Sequence, residues 1–162
     1  MANTNITVVG IGQTLRGDDA AGPEAVQLWQ KTFPATASNP RLRVQHADMP
    51  GLELIDLLAK ADSVLLVDAV RSGAAPGKLH LVTPQQVAPG NSALGSSHGW
   101  GVAETLALAQ ELHYPLPAQI MILGIEAASF QMGTPLSKAV ADSLIKAAEM
   151  IEDRVQWWLT ML

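Results

Sequence analysis

Cysteine is absent from this 162-residue chain. That excludes a disulfide framework, a thiolate metal site and a cysteine nucleophile. Charge is scarce, with 15% charged residues against 48% hydrophobic, so the chain is neither disordered nor a heavily solvated surface protein. The formal net charge is -5 and no cluster of Lys and Arg interrupts it, which argues against nucleic acid as a partner. No stretch approaches the roughly 20 uninterrupted apolar residues of a membrane span. The opening Met1-Ala2-Asn3-Thr4-Asn5 lacks the basic and apolar regions of a secretory signal. A cytoplasmic protein without a membrane partner is the expectation.

What is present is an alternation of strand and helix signals, without internal repeats, over a length that fits a single domain, residues 1–162. Alternation of this kind predicts a three-layer α/β/α fold. Ile6 to Ile11 reads as the first strand, and residues 19–33 as a helix with Pro23 in its first turn. Residues 42–45 read as a short strand. A helix opening at Pro50 would turn Leu52, Ile55 and Leu58 inward, with Leu54 and Leu57 widening that face. The apolar run within Ser63 to Val70 predicts a central strand covered on both faces. An edge strand over 78–82, a long loop over 83–97 and a helix over 98–112 follow. The last strand is expected over Gln119 to Glu126, and the last helix from 137 onward.

Chemistry first shows at the end of the first strand, where a glycine-bounded loop finishes in two adjacent acids, Asp18 and Asp19. Neighbouring carboxylates raise each other's ionisation cost unless a cation, a proton or hydrogen-bond donors compensate. The spacing Gly10-x-Gly12 with Leu15 at the sixth position is not a dinucleotide fingerprint, and no Lys-Ser/Thr pair marks a P-loop. One of the two acids is expected to cap the helix that follows, which leaves the other unexplained. Asp68 closes a buried strand, where ligand sites gather in open α/β sheets. It reads equally as a strand-end Asp bonding loop amides. His98, in Ser97-His98-Gly99-Trp100, sits at a helix start, where the dipole disfavours a cation and keeps the ring neutral. A lone histidine is as a rule structural or solvated. His46 ends the second strand and lines the same rim, whereas His80 and His113 read as surface residues. Glu126 reads as a strand-end charge or an acid supporting the site. Trp157 and Trp158 read as packing for the last helix or as a patch for a partner. Asp19, Asp68 and His98 together form an oxygen and imidazole donor set suited to nickel, zinc, manganese or cobalt, with a position left open for substrate or water.

The run from Gly10 through Gly12, Gly17, Asp18 and Asp19 to Gly22 resembles the opening motif of the hydrogenase maturation endopeptidases. The likeness continues through Leu65-Leu66-Val67-Asp68-Ala69, Ser97-His98, and Gly124-Ile125-Glu126 with Gly133-Thr134-Pro135. The resemblance implies a mixed, largely parallel five-stranded sheet. It implies removal of a C-terminal extension from the large-subunit precursor of a [NiFe] hydrogenase after nickel insertion. It also implies that Asp19, Asp68 and His98 contact a nickel ion carried by the substrate, a site that zinc or cadmium could also occupy. Two departures stand out: Gln13 replaces the usual Asn, and His46 stands where an acid is common. The run from His46 to Leu52 looks like the branch serving bidirectional, NAD(P)-linked hydrogenases.

The expected partner is therefore the large-subunit precursor, met by a monomer. Asp18 or His46 would be the candidate general base. A nickel-sensing chaperone that holds the precursor uncut would use the same donors. A phosphate-handling hydrolase would need basic residues at the rim, for which Arg16 and Arg71 are the candidates.

Overall fold

The structure is a computed structural model and describes residues 5–88 and 100–162. Its centre is a five-stranded sheet in the order β2-β1-β3-β5-β4. The strands are β1 (Ile6–Ile11), β2 (Leu42–Ala47), β3 (Ser63–Val70), β4 (Leu79–Val82) and β5 (Gln119–Glu126). All pair in parallel except β4, which runs antiparallel to β5 at one edge. The mixed, largely parallel sheet is thus as expected.

β3 explains the architecture. Every residue in it is buried, because its side chains alternate between two covered faces. Leu65 and Val67 join Ile6, Val8, Leu123 and Ile125 in the core beneath α1 (Ala21–Thr32) and α5 (Lys138–Met161). Val64 and Leu66 point the other way, into a core with Val9, Ile11 and Ile122 beneath α3 (Leu52–Leu58) and α4 (Gly101–Glu111). A short turn of helix, α2 (Pro34–Ala37), follows α1.

Register places the chemistry. Ile11 pairs with Asp68, Gly10 with His46 and Asp68 with Gly124. The carboxyl ends of the parallel strands therefore lie along one edge of the sheet, and the loops that follow them share it.

Several local expectations change. β2 runs two residues further than expected, through His46 and Ala47. α3 begins at Leu52, not Pro50, so Leu52 falls in its first turn and is 70% exposed, while Leu54, Ile55 and Leu58 carry the buried stripe. α4 begins at Gly101; the expected start at His98 lies outside the described residues. His80 is not a surface residue. It is 9% exposed, and the Trp100 ring meets its edge with centroids 5.5 Å apart. β4 lies at a sheet edge, but the start of α4 covers this face of it. His113 is exposed as expected, with a left-handed φ of 56° after α4.

The paired tryptophans of α5 divide their roles. Trp158 is fully buried and Trp157 is 47% exposed. Trp158→Ala is expected to cost about 3–5 kcal/mol of stability, as deletion of a buried aromatic does. Trp157→Ala is expected to stay within about 0.5 kcal/mol, as surface changes do. Urea unfolding of the two variants checks this, and equal losses would contradict the packing.

Candidate active site

The glycines near Asp19 allow backbones to touch. Gly12 has a φ of 142°, and a Cβ there would sit 1.8 Å from the Asp19 carbonyl oxygen. At Gly22 a Cβ would sit 2.3 Å from the Val67 carbonyl and 2.5 Å from that of Ile11. Any side chain at either position would push the acidic turn and the start of α1 away from the strand ends. The glycines therefore serve close approach, consistent with the lack of a nucleotide fingerprint.

Asp18 and Asp19 form part of a 3-10 turn, Gly17–Ala20, and neither caps it or α1. Asp18 instead reaches across the molecule. Its carboxylate accepts hydrogen bonds from the Ala128 N–H (2.8 Å), the Ser129 N–H (3.2 Å), the Ser137 N–H (2.7 Å) and the Ser137 hydroxyl (2.9 Å). The backbone around it follows the same route: the Asp18 N–H donates to the Ser129 carbonyl and the Gly17 N–H to that of Thr134. Burial, with 1% exposure, pushes the Asp18 carboxyl up, but these donors outweigh it and hold it below the ordinary value of 3.8. The expected cap is replaced by a tie between the β1–α1 loop and the β5–α5 loop.

Asp19 is half-buried and accepts a hydrogen bond from the Gln13 N–H at 2.9 Å. Asp68 is 5% exposed. Burial first, and then the charge of Asp19, push its carboxyl well above the ordinary value of 3.8; a bond from the Ala69 N–H opposes them. The structure thus brings Asp19 and Asp68 into electrostatic contact. His98 lies outside the described residues. Trp100, two positions later in the chain, is buried against Gly124, beside Asp68 in the sheet. Among the described residues no three His, Asp or Glu side chains are grouped to hold a metal ion.

His46 reaches the same rim. Its Nε2 lies 2.9 Å from the Gly12 carbonyl oxygen, which can only accept, so Nε2 carries a proton and donates. Glu126 is buried at 1% and accepts hydrogen bonds from the Ser72 N–H and hydroxyl and the Ala74 N–H, fixing the loop after β3. That role was open in the sequence; an acid ending an apolar strand was its signal. Arg71 lies over the Phe130 ring, 4.8 Å from its centroid. A cleft of about 470 Å³ between α4 and the start of β5 lies at the opposite end of β5 from the acids.

Residues 36–154 match the family described as hydrogenase maturation protease. The chain belongs to that family. Among its relatives is the hydrogenase expression/formation protein HupD of Bradyrhizobium diazoefficiens, 26% identical over 98% of this chain and 82% of the relative. HupD of Thiocapsa roseopersicina is 30% identical, over 92% of this chain and 66% of the relative. In structure, the [NiFe] hydrogenase maturation protease HycI from Thermococcus kodakarensis superposes with a TM-score of 0.70 at 22% identity, covering 94% and 93% of the two chains. That likeness shows the fold. The family match takes in Asp68 and Glu126 and begins after Asp18 and Asp19, whereas the match to HupD of Bradyrhizobium covers 98% of this chain.

The two buried acids have opposite pH signatures. Asp18, held low, contributes stability that is full above 3.8 and lost as the pH falls further. Asp68, held high, costs stability once the pH rises from 3.8 through its raised folded-state value. Asp68→Asn keeps an acceptor for Ala69 and removes the charge. Near neutral pH it is expected to raise Tm, by about 2–4 °C for each kcal/mol relieved. Asp18→Ala is expected to destabilise by about 3 kcal/mol, as loss of bonds to a charged acceptor does. Calorimetry checks both, and a lowered Tm for Asp68→Asn would contradict the reading of Asp68.

Proposed function

We propose that this chain is an endopeptidase that removes the C-terminal extension of a [NiFe] hydrogenase large-subunit precursor once nickel is in place. The observation that carries the reading is the Asp19–Asp68 pair at the carboxyl edge of the sheet: Asp68 is buried in β3, glycines let the Asp19 turn pack on the strand ends, and burial and the charge of Asp19 both disfavour the ionised Asp68. A divalent ion arriving with the substrate would offset both the burial and the like charge, and oxygen donors with one imidazole suit nickel, zinc or cadmium. Nickel is thus treated as part of the substrate, and Asp19, Asp68 and His98 are the residues that would meet it. Contact with that ion reports that insertion is complete and places the scissile bond beside it. The ion would supply Lewis-acid polarisation of the carbonyl or activation of a water.

The remaining roles fall to the chain itself. Asp18, its oxygens taken by four donors, holds the Asp19 turn and is a positioning residue. With Nε2 engaged by the Gly12 carbonyl, Nδ1 of His46 is the ring nitrogen left to act at the rim, and His46 is the stronger candidate for a base. No described helix is long and apolar enough to cross a membrane, and the partner is a precursor that the chain meets as a monomer in the cytoplasm.

The commitment of Asp18 to structure also leaves room for a second reading, a nickel-sensing checkpoint protein that holds the precursor without cutting it. One assay separates the two. Mass spectrometry of the matching precursor, with and without nickel, is expected to show loss of a C-terminal peptide only from the nickel-loaded form. Asp19→Ala, Asp68→Ala and His98→Ala are each expected to lower the rate at least about a hundredfold while the chain stays folded. Stable binding without cleavage would favour the checkpoint, and full processing by all three variants would remove the site assignment.

A further inference from the structure

A groove of about 380 Å³ runs from the acidic rim down between α1 and the edge strand β2. Pro23, Val26, Gln27 and Gln30 line one wall, Val44 and His46 the other, and Thr14 stands at the rim. No charged side chain lines it. Two amides (Gln27 and Gln30) sit among apolar surface, a lining that suits a neutral chain with backbone groups to satisfy.

The strand beside this groove is unpaired on its outer side. Ile6 N–H donates to the Arg41 carbonyl and Gly12 N–H to that of Ala47. In a parallel ladder these two bonds fix the phase. Residues 43, 45 and 47 face β1, while the backbone N–H and C=O groups of Val44 and His46 face outward. β2 is the last strand in the sheet order, so no described strand meets them. An exposed edge of this kind is a template for an added strand. A helix roofing the added strand, with pockets for alternate side chains, is the arrangement of peptide recognition by strand addition.

We propose that this groove binds the large-subunit precursor near its cleavage point, as an extended strand added to β2. The inference rests on the protease reading above and deepens it. Continuity names the occupant. His46 is both the last outward-facing residue of β2 and the ring bonded to the Gly12 carbonyl, and Gly12 packs on Asp19. A strand leaving the carboxylate pair past His46 therefore enters the groove directly. It presents an unfolded peptide bond to the acids while its neighbouring residues pair with Val44. The groove selects uncharged side chains in the segment that pairs with Val44 and His46.

Gln27 and Gln30 are exposed on α1, so Gln27→Trp and Gln30→Trp fill the groove without touching the core. Val44→Pro removes an outward N–H without breaking the ladder to β1. The probe is the matching nickel-loaded large-subunit precursor with its extension intact. Each variant is expected to raise KM, and the Kd for the uncut precursor, about tenfold while kcat stays within about twofold, the pattern of lost ground-state binding. Asp19→Asn, by contrast, is expected to lower kcat in the same assay. Cleavage by the wild type with unchanged KM and Kd in all three groove variants would overturn the groove and leave the protease reading standing. If the wild type binds without cutting, the protease reading fails, and the Kd series still decides the groove. Self-association through β2, seen as a doubled mass in sedimentation that Gln30→Trp abolishes, would overturn the proposal in favour of a second copy.

Discussion

The site depends on a carboxylate whose oxygens are held by four hydrogen-bond donors. Asp18 joins a turn after β1 to backbone donors 110 and 119 residues away, at Ala128 and Ser137. Through it the β1–α1 loop, the β5–α5 loop and the start of α5 become one rigid collar around the carboxyl end of the sheet. Asp19, the next residue, inherits its position from that tie, from the Gln13 amide and from the close contact that Gly12 permits. Only with the turn fixed does the charge of Asp19 bear on Asp68 within the sheet.

The two buried acids at this edge of the sheet thus answer to different physics. Asp18 is compensated in full by hydrogen-bond donors, so its charge holds the fold together. Asp68 is buried with a like charge nearby and a single backbone donor opposing, so its charge works against the fold. A protein retains such a group where a ligand completes it, and perturbed carboxylates cluster at functional sites for that reason. A metal-bearing substrate would be complementary in charge to the pair, and the same collar would hold the scissile chain near it. On the proposed reading, specificity for a loaded precursor would need no separate sensor, because the substrate itself would bring the cation.

Much of the fold was legible because its signals are local. The continuous apolar run of β3 implied burial on both faces, and the acid within it marked the carboxyl edge. The glycine and acid pattern located the turn and, by resemblance, the family. What stayed hidden depended on distant partners. Spacing suggested that Asp18 or Asp19 would cap the next helix, and nothing nearby in the chain reveals Ser137 as the stronger claim on Asp18. His80 was read as exposed because alternation on an edge strand does not say what covers that face. Here Trp100 does. Leu52 fitted the helical stripe but is the first residue of its helix and faces solvent. The role of Glu126 likewise became readable only when Ser72 and Ala74 closed around it.

The central claim is that the precursor's nickel comes into contact with the Asp19–Asp68 pair. Nickel-edge X-ray absorption tests it most directly, on nickel-loaded precursor alone and on precursor mixed with this chain and frozen before turnover. The expected result is that oxygen donors join the nickel in the mixture with the native chain and are missing when Asp19 and Asp68 are both replaced by Ala. A nickel spectrum unchanged by the native chain, in a mixture that goes on to be processed, would contradict the account.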